Sequence, residues 1–501
     1  MEIVKQKVGY YREVCSFSEI REEINDVVIP DTNPDFESVI SAFASCTVTE
    51  KSLVSGCIRS SGTLETTVYY DSSASENGYL LQNSFSFSMS FDLNKVFPDD
   101  KLIFSVKAAE TVCEVINSRK IRIKVKLIVS AQIFRADEIN ISGDILSEDT
   151  EGINVLTEKT EMTVLSEIKE KQFAFSEEIR ISEDEISGDP DIIRWDSVWS
   201  AGEIKKMQNK AMIRGSVEIS AYFFEDDFKK AVKRTYTLPF TQIVECSAEE
   251  NDDLLTYINQ EKCLIKAEMK EDGISLKCDL CVTASLMVFK KVETDILSDA
   301  YSTQFDTEAL TEEVTVFGRL TDVRKESLME GRFNTPDGVA RIIDFCVLGC
   351  VLFDNDAITA EYFASVMYEN EMGQIRNDKV ILSFDPKTEK GIIACSCFAG
   401  AEKINVRTDA SGAVISFDGF FNAKKQSFTV IEQLSDIKAD KTKTRDNGKG
   451  NLVLKRAEKN ETLWDMAKKY GTTRAAILSS NDIIQEVGVT EGKLIMIPFV
   501  K

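Results

Sequence analysis

Four short blocks of this chain recur in the same order roughly 155 residues downstream. Self-similarity of this kind limits the fold to one built by copying a unit. Cys15-Ser16-Phe17-Ser18-Glu19 returns as Phe173-Ala174-Phe175-Ser176-Glu177, an offset of 158. Pro34-Asp35-Phe36 returns as Pro190-Asp191-Ile192 at 156, and Gly62 to Tyr70 returns as Gly215 to Phe223 at 153. Ile121 to Phe134 returns as Leu276 to Phe289 at 155, sharing Ser130/Ser285 and Phe134/Phe289. A third, decayed copy is expected. Ile342 to Phe353 followed by Asp354 resembles Gly62 to Tyr70 followed by Asp71, and Ala413 to Phe421 suits the last strand. Tyr301 to Glu308 faintly echoes the opening block, and no Pro-Asp block is found in this copy.

Each copy reads mainly as strands. Ile121-Arg122-Ile123-Lys124-Val125-Lys126-Leu127 and Ser84 to Phe91 alternate apolar with polar residues, the period of a half-buried strand. The Pro-Asp blocks read differently. In Asp35 to Ile40 and Asp191 to Trp195 the apolar residues stand three or four apart, which predicts a short helix with Pro34 or Pro190 in its first turn. Trp195 and Trp199 would then share a helix face, as core residues or as partner anchors.

Histidine is absent. That excludes Ser-His-Asp triads, Cys-His pairs and His-based zinc sites, and removes the usual general base near neutral pH. No Walker-type phosphate loop occurs, no pair of carboxylates stands out among 84 acidic residues, and no catalytic residue, cofactor or metal site is assigned. Cys278-x-x-Cys281 is the one CxxC, and in a strand these thiols point to opposite faces. Cys395 and Cys397 would share a face but stand alone, so all twelve cysteines are expected to act as small buried apolar groups. A net charge of −24 disfavours nucleic acid as a partner. The longest apolar run, Phe345 to Phe353, is nine residues, too short to span a bilayer. The opening residues carry no apolar h-region, so no signal peptide and a reducing, cytoplasmic setting are expected.

Residues 437–450 hold one large apolar side chain and predict a flexible linker. From residue 437 onward 13 basic side chains face 8 acidic ones, so the −24 divides into −29 before that point and +5 after it. The last fifty residues change character. Leu452-Val453-Leu454 reads as a strand, and Leu463, Met466, Ala467 and Tyr470 have helical spacing. Thr462 or Asn460 caps that helix and Gly471 ends it. A second helix carries Ile477 and Leu478, and Leu494 to Ile497 forms a last strand stopped by Pro498.

This β-α-α-β order resembles the LysM domain, on Glu461-Thr462-Leu463-Trp464-Asp465-Met466-Ala467-Lys468-Lys469-Tyr470-Gly471, Asn481 and Glu491 to Pro498. The resemblance implies a shallow groove in which Asn460, Glu461, Thr462 and Leu463 face Asn481, Asp482, Ile483 and Ile484. LysM domains characteristically hold N-acetylglucosamine-containing glycans there. The family's usual Gly-Asp-Thr reads Asn460-Glu461-Thr462 here, which puts a side chain where close approach is needed, while a protein ligand remains compatible. With that module in place, the repeats resemble the SPOCS domain of spore-coat morphogenetic proteins, the SipL and SpoVID kind. The motif residues are Pro34, Asp35 and Gly62 in copy one and Pro190, Asp191 and Gly215 in copy two.

The expected fold is mainly β: tandem SPOCS-like β-rich repeats with short helices over 1–150, 151–293 and, degenerate, 294–436, then the linker 437–450 and a small βααβ LysM domain over 451–501. The resemblance implies a non-enzymatic scaffold on the mother-cell side of the forespore surface. It binds the coat basement-layer ATPase and other coat proteins, partly through the LysM domain. The alternative is a glycan- or peptidoglycan-binding protein of the cell envelope.

Overall fold

The computed structural model describes residues 2–72, 75–94, 96–146, 152–182, 192–225, 230–270, 273–354, 357–409, 412–445, 452–481 and 491–499. The chain is mainly β, as its period-two alternation requires. The first six strands are β1 (Glu2–Val28), β2 (Ser38–Val54), β3 (Cys57–Ser72), β4 (Ser75–Asp92), β5 (Lys101–Asn117) and β6 (Lys120–Leu146). They form an antiparallel meander, β2-β3-β4, and a second sheet ordered β1-β6-β5. The next six are β7 (Ile153–Ser182), β8 (Ile192–Met207), β9 (Lys210–Glu225), β10 (Lys230–Glu245), β11 (Asp253–Lys270) and β12 (Gly273–Ser302). They draw the same order, β8-β9-β10 and β7-β12-β11. So do β13 (Phe305–Asn334), β14 (Arg341–Asp354), β15 (Ala357–Glu369), β16 (Ile375–Phe384), β17 (Phe398–Asp409) and β18 (Gly412–Thr444), as β14-β15-β16 and β13-β18-β17. Each set of six encloses its own core between its two sheets. The expected boundaries at 293/294 and 436/437 fall inside β12 and β18, because those strands run on as long ribbons.

Beyond the sheets, β1 with β6, β7 with β12, and β13 with β18 continue as two-stranded ribbons. A lone ribbon is marginal in water. Here Val8 and Ile141 of the first, Met162 and Ile296 of the second, and Val314 and Val316 of the third bury their side chains in one cluster. Gln433, 2% exposed, ties the third ribbon to the first: its amide donates to Asn140 O (2.9 Å) and its carbonyl accepts from Ser142 N (3.0 Å). At the junction of the first two units, Glu261 is buried and accepts from Lys51 (2.9 Å), Thr283 (2.8 Å) and Gln172 (2.6 Å). Burial pushes its carboxyl upward, but those donors outweigh it and hold the carboxyl below its ordinary range.

Several local expectations need correction. The Pro-Asp block is not helical. Phe36 N–H donates to Ser118 O and Glu37 N–H to Asp71 O, both at 2.9 Å, so the backbone is satisfied across the sheet and β2 starts at Ser38. In the second unit β8 is already a strand at Ile192. Trp195 and Trp199 still share a face, because positions four apart also align on a strand. Trp195 meets Phe43 of the first unit (4.9 Å between rings), and Trp199 packs on Phe175 and Phe240. By strand order, the counterpart of Gly62–Tyr70 on β3 lies on β15, whereas Ile342 to Phe353 belongs to β14, one strand earlier. A Pro-Asp pair does precede β14: Pro336-Asp337 sits in the turn after β13, closed by Gly338 N–H on Thr335 O (3.0 Å). Residues 437–444 are not a flexible linker but the end of β18, hydrogen-bonded to β13 from Phe305 to Ala309. Cys395 and Cys397 do not share a strand face, since residues 394–396 form a 3-10 turn.

Candidate functional site

The C-terminal module runs β19 (Leu452–Arg456), α1 (Leu463–Tyr470), α2 (Arg474–Ser480) and β20 (Leu494–Pro498), with β19 and β20 antiparallel. Helices this short form only when capped and packed. Thr462 caps α1: its hydroxyl accepts from Asp465 N (3.1 Å), and the Asp465 carboxylate accepts from Thr462 N (2.9 Å), a reciprocal capping box. Gly471 ends α1 at φ +64°, with Lys468 and Lys469 in the last turn. Thr473 caps α2 through Ala476 N (3.1 Å). Leu463, Trp464, Met466, Ala467, Ile477, Ile495 and Ile497 are the buried centre.

Of the eight residues expected to line a groove, five lie within the described structure, and four of them do structural work. Thr462 is the cap and Leu463 is core, 3% exposed. Asn481 ties α2 to β20: its amide donates to Ile477 O (2.7 Å) and Met496 O (2.6 Å), and its carbonyl accepts from Met496 N (2.6 Å). Glu461 accepts from Glu458 N (3.0 Å) and is ion-paired with Lys455. Burial opposes ionisation of Glu461, yet Lys455 and the Glu458 N–H hold its carboxyl below the usual range. Asn460 is exposed and has φ +63°. That left-handed conformation is one that glycine adopts freely and that Asn tolerates better than most side chains. Asp482, Ile483 and Ile484 lie outside the described residues.

In the repeat units, the Pro34-Asp35 loop is gripped from the β5–β6 turn by Arg119. Its guanidinium donates to Asn33 O (2.8 Å), Pro30 O (3.0 Å) and the Asp35 carboxylate (3.0 Å). Phe36 stacks on Tyr70 at 3.8 Å, and the Tyr70 hydroxyl donates to Pro34 O (3.1 Å). Pro190 and Asp191 fall outside the described residues. Gly62, five residues into β3 after Cys57, faces Phe87 in register, and Gly215, five after Lys210 in β9, faces Phe240. A Cβ at Gly62 would stand 2.2 Å from Thr47 O and 2.6 Å from the Phe87 ring; at Gly215 the distances are 2.1 Å to Ser200 O and 2.7 Å to the Phe240 ring. At the same place in β15, five after Ala357, stands Tyr362 opposite Leu382, so the large ring has changed strands. These positions are architecture.

The sequence reading missed the contact between module and body. Trp464 packs edge-on against Tyr301 (4.8 Å) and donates from Nε1 to Asp299 (2.7 Å). Lys468 donates to both Asp299 oxygens (2.8 and 2.7 Å), the Tyr301 hydroxyl donates to Thr472 O (2.6 Å), and Arg445 donates to Lys468 O (2.7 Å). Burial raises the Tyr301 phenol to about 12, so it stays a donor. A Tyr closing a strand of the second unit and an Asp two residues before it carry no local signal of this role. The cysteines are buried or half-buried, and burial lifts the thiols of Cys46, Cys113, Cys263, Cys278 and Cys350 to about 12. Cys278 is buried while Cys281 is half-exposed on the opposite face. Among the described residues, no helix is long and apolar enough to cross a membrane. No family model, no curated protein and no solved structure matches this chain.

Proposed function

We propose that this protein is a non-enzymatic assembly scaffold of the spore-coat type: three SPOCS-like units followed by a LysM-like module. It acts on the mother-cell side of the forespore surface and helps to encase the forespore by binding the coat basement-layer ATPase. The observation that carries the reading is one six-strand order drawn three times ahead of a capped strand-helix-helix-strand module. The module's chemistry favours a protein over a sugar as ligand. Among the described residues expected to line the groove, Glu461, Thr462 and Asn481 already spend polar groups inside the module, which weakens them as partners for a glycan's hydroxyls.

Deleting residues 451–501 is expected to abolish recruitment of a fluorescent fusion to the forespore surface. A truncated protein that still encircles the forespore overturns the assignment. Micromolar binding of chitin oligomers by the full chain replaces it with the alternative, a glycan-binding protein of the envelope.

A further inference from the structure

The third strand of each meander, β4, β10 and β16, ends its sheet. The outer side of such a strand is a row of unpaired N–H and C=O groups that invites another strand, and proteins guard it with charge, proline or cover. β10 carries Lys233, Arg234 and Pro239 and lies beside β14 of the third unit. β16 is short, carries Arg376, Asp378 and Lys379, and lies beside β2 of the first unit. There Lys379 donates to Thr111 O. β4 is built otherwise. Leu80 near its start packs with Ile343 and Ile375 of the third unit. From Gln82 to Phe91 follow ten residues without a charge, a proline or a glycine. They pair with β3 in unbroken register and, among the described residues, with no other strand. Ser84, Ser86, Ser88 and Ser90 on the outer face are exposed. On the inner face Phe87, Met89 and Phe91 are buried and Phe85 is half-buried.

We propose that this edge pairs with the same edge of a second molecule of this chain, β4 against β4, antiparallel about a twofold axis normal to the sheet. Two three-stranded meanders then become one six-stranded sheet. The strand is complementary to itself. Opposite positions of an antiparallel pair share a face. With the axis at Phe87 or at Ser88, Phe85 meets Met89 or Phe91, and Ser86 meets Ser88 or Ser90. Strict alternation sets like on like at each of these positions, and the free backbone groups supply the bonds. Ten residues give a seam roughly 33 Å long and about 10 Å deep. That is well under the roughly 800 Å² per partner of a standard interface, so the pairing is reversible. The net charge of −24 opposes approach at long range, yet the strand itself carries no charge from Gln82 to Phe91. Association therefore strengthens as salt screens the repulsion. A basic segment of another protein fits less well. The same net charge draws it in, but it finds no carboxylate on this stretch to pair with, and its binding would weaken with salt.

The inference stands apart from the reading of the module as the recruiting element, since it uses a strand of the first unit. The test is sedimentation velocity on the full-length protein over a range of concentrations, at low and at physiological salt. A reversible monomer–dimer equilibrium is expected, tighter at the higher salt. Ser86→Lys with Ser88→Lys puts like charges across the seam and is expected to weaken the dimer about tenfold or more. Ser86→Glu with Ser88→Glu should do the same. An equimolar mixture of the two doubly substituted proteins should restore a dimer, now of one molecule of each. These positions are exposed, so the melting transition should stay in place. Ser88→Lys and Ser88→Glu alone serve if a double substitution unfolds the protein. Restoration in the mixture is a result that loss of folding does not produce. A protein that stays monomeric at every concentration overturns the proposal. So does a dimer indifferent to the lysine pair, a mixture that fails to restore it, or an association that weakens as salt is raised.

Discussion

On the long strands of the body many outward positions carry charge, in ion pairs such as Lys7–Glu138 (2.7 Å), Arg122–Asp26 (2.7 Å) and Arg324–Glu326 (2.6 Å), with exposed apolar side chains such as Ile24, Leu328 and Val430 scattered among them. On β19 and β20 of the C-terminal module the same positions carry leucine and methionine. The body also spreads its stability over three cores and a shared ribbon cluster, whereas the module has a single small centre closed by Tyr301 from outside. Charged edges keep long strands from pairing with other chains. The body thus mixes paired charges with scattered apolar side chains, and the module gathers its exposed apolar side chains on one short hairpin face.

The largest test of that contrast is Trp464→Ala. It empties the module's centre and removes the ring on Tyr301, at a cost of about 3–5 kcal/mol. For a unit this small that means loss of folding. Differential scanning calorimetry is expected to lose a module transition while the body's transition stays in place. A single transition shifted as a whole shows instead that body and module unfold together.

Gly62→Ala and Gly215→Ala come next. Each adds a Cβ against a backbone carbonyl and a phenyl ring, and each is expected to lower body stability by about 1–3 kcal/mol. Matching losses in denaturant melts fit equivalent positions in the first two units; a neutral result at one of them breaks the equivalence.

Glu261→Gln should have the smallest effect, about 1–2 kcal/mol at neutral pH, because Thr283 and Gln172 can still bond the amide. The informative feature is its pH dependence. The carboxyl is held below its ordinary value of 4.5, so its stabilisation is full above that pH and is lost as pH falls through the lower folded value. Wild type and variant should therefore converge in acid. Curves that stay parallel from pH 7 to pH 3 rule out ionised Glu261 as the link between the first two units.

Much of this fold could be read from near neighbours in the chain. Alternation in Ser84 to Phe91 marks β4, and Ile121 to Leu127 marks β6, because a strand's faces repeat every second residue. Thr462, Asp465 and Gly471 mark the ends of α1, since caps act within one turn. The Pro-Asp block misled because its apolar spacing suits a helix as well as a strand entry. Its path was decided by Ser118 and Arg119, more than 80 residues away along the chain. The third Pro-Asp pair, Pro336-Asp337, is hard to align for a related reason: the glycine of the first two copies is replaced in β15 by Tyr362, opposite Leu382.

What the sequence by itself determined is the β class, the alternating strands, the capped helices and the partition of charge, all of which depend on composition or on residues within a few positions of one another. What only the tertiary structure decided is where the tail goes. Residues 437–444 look solvated in isolation, yet β13 offers them a row of backbone partners, and satisfying those groups makes them strand. The module was expected to swing on a tether, but Asp299 and Tyr301, 165 to 171 residues upstream of the groups they bond, hold it against the body. No local pattern encodes contacts at that separation, because they depend on the fold bringing distant parts of the chain together.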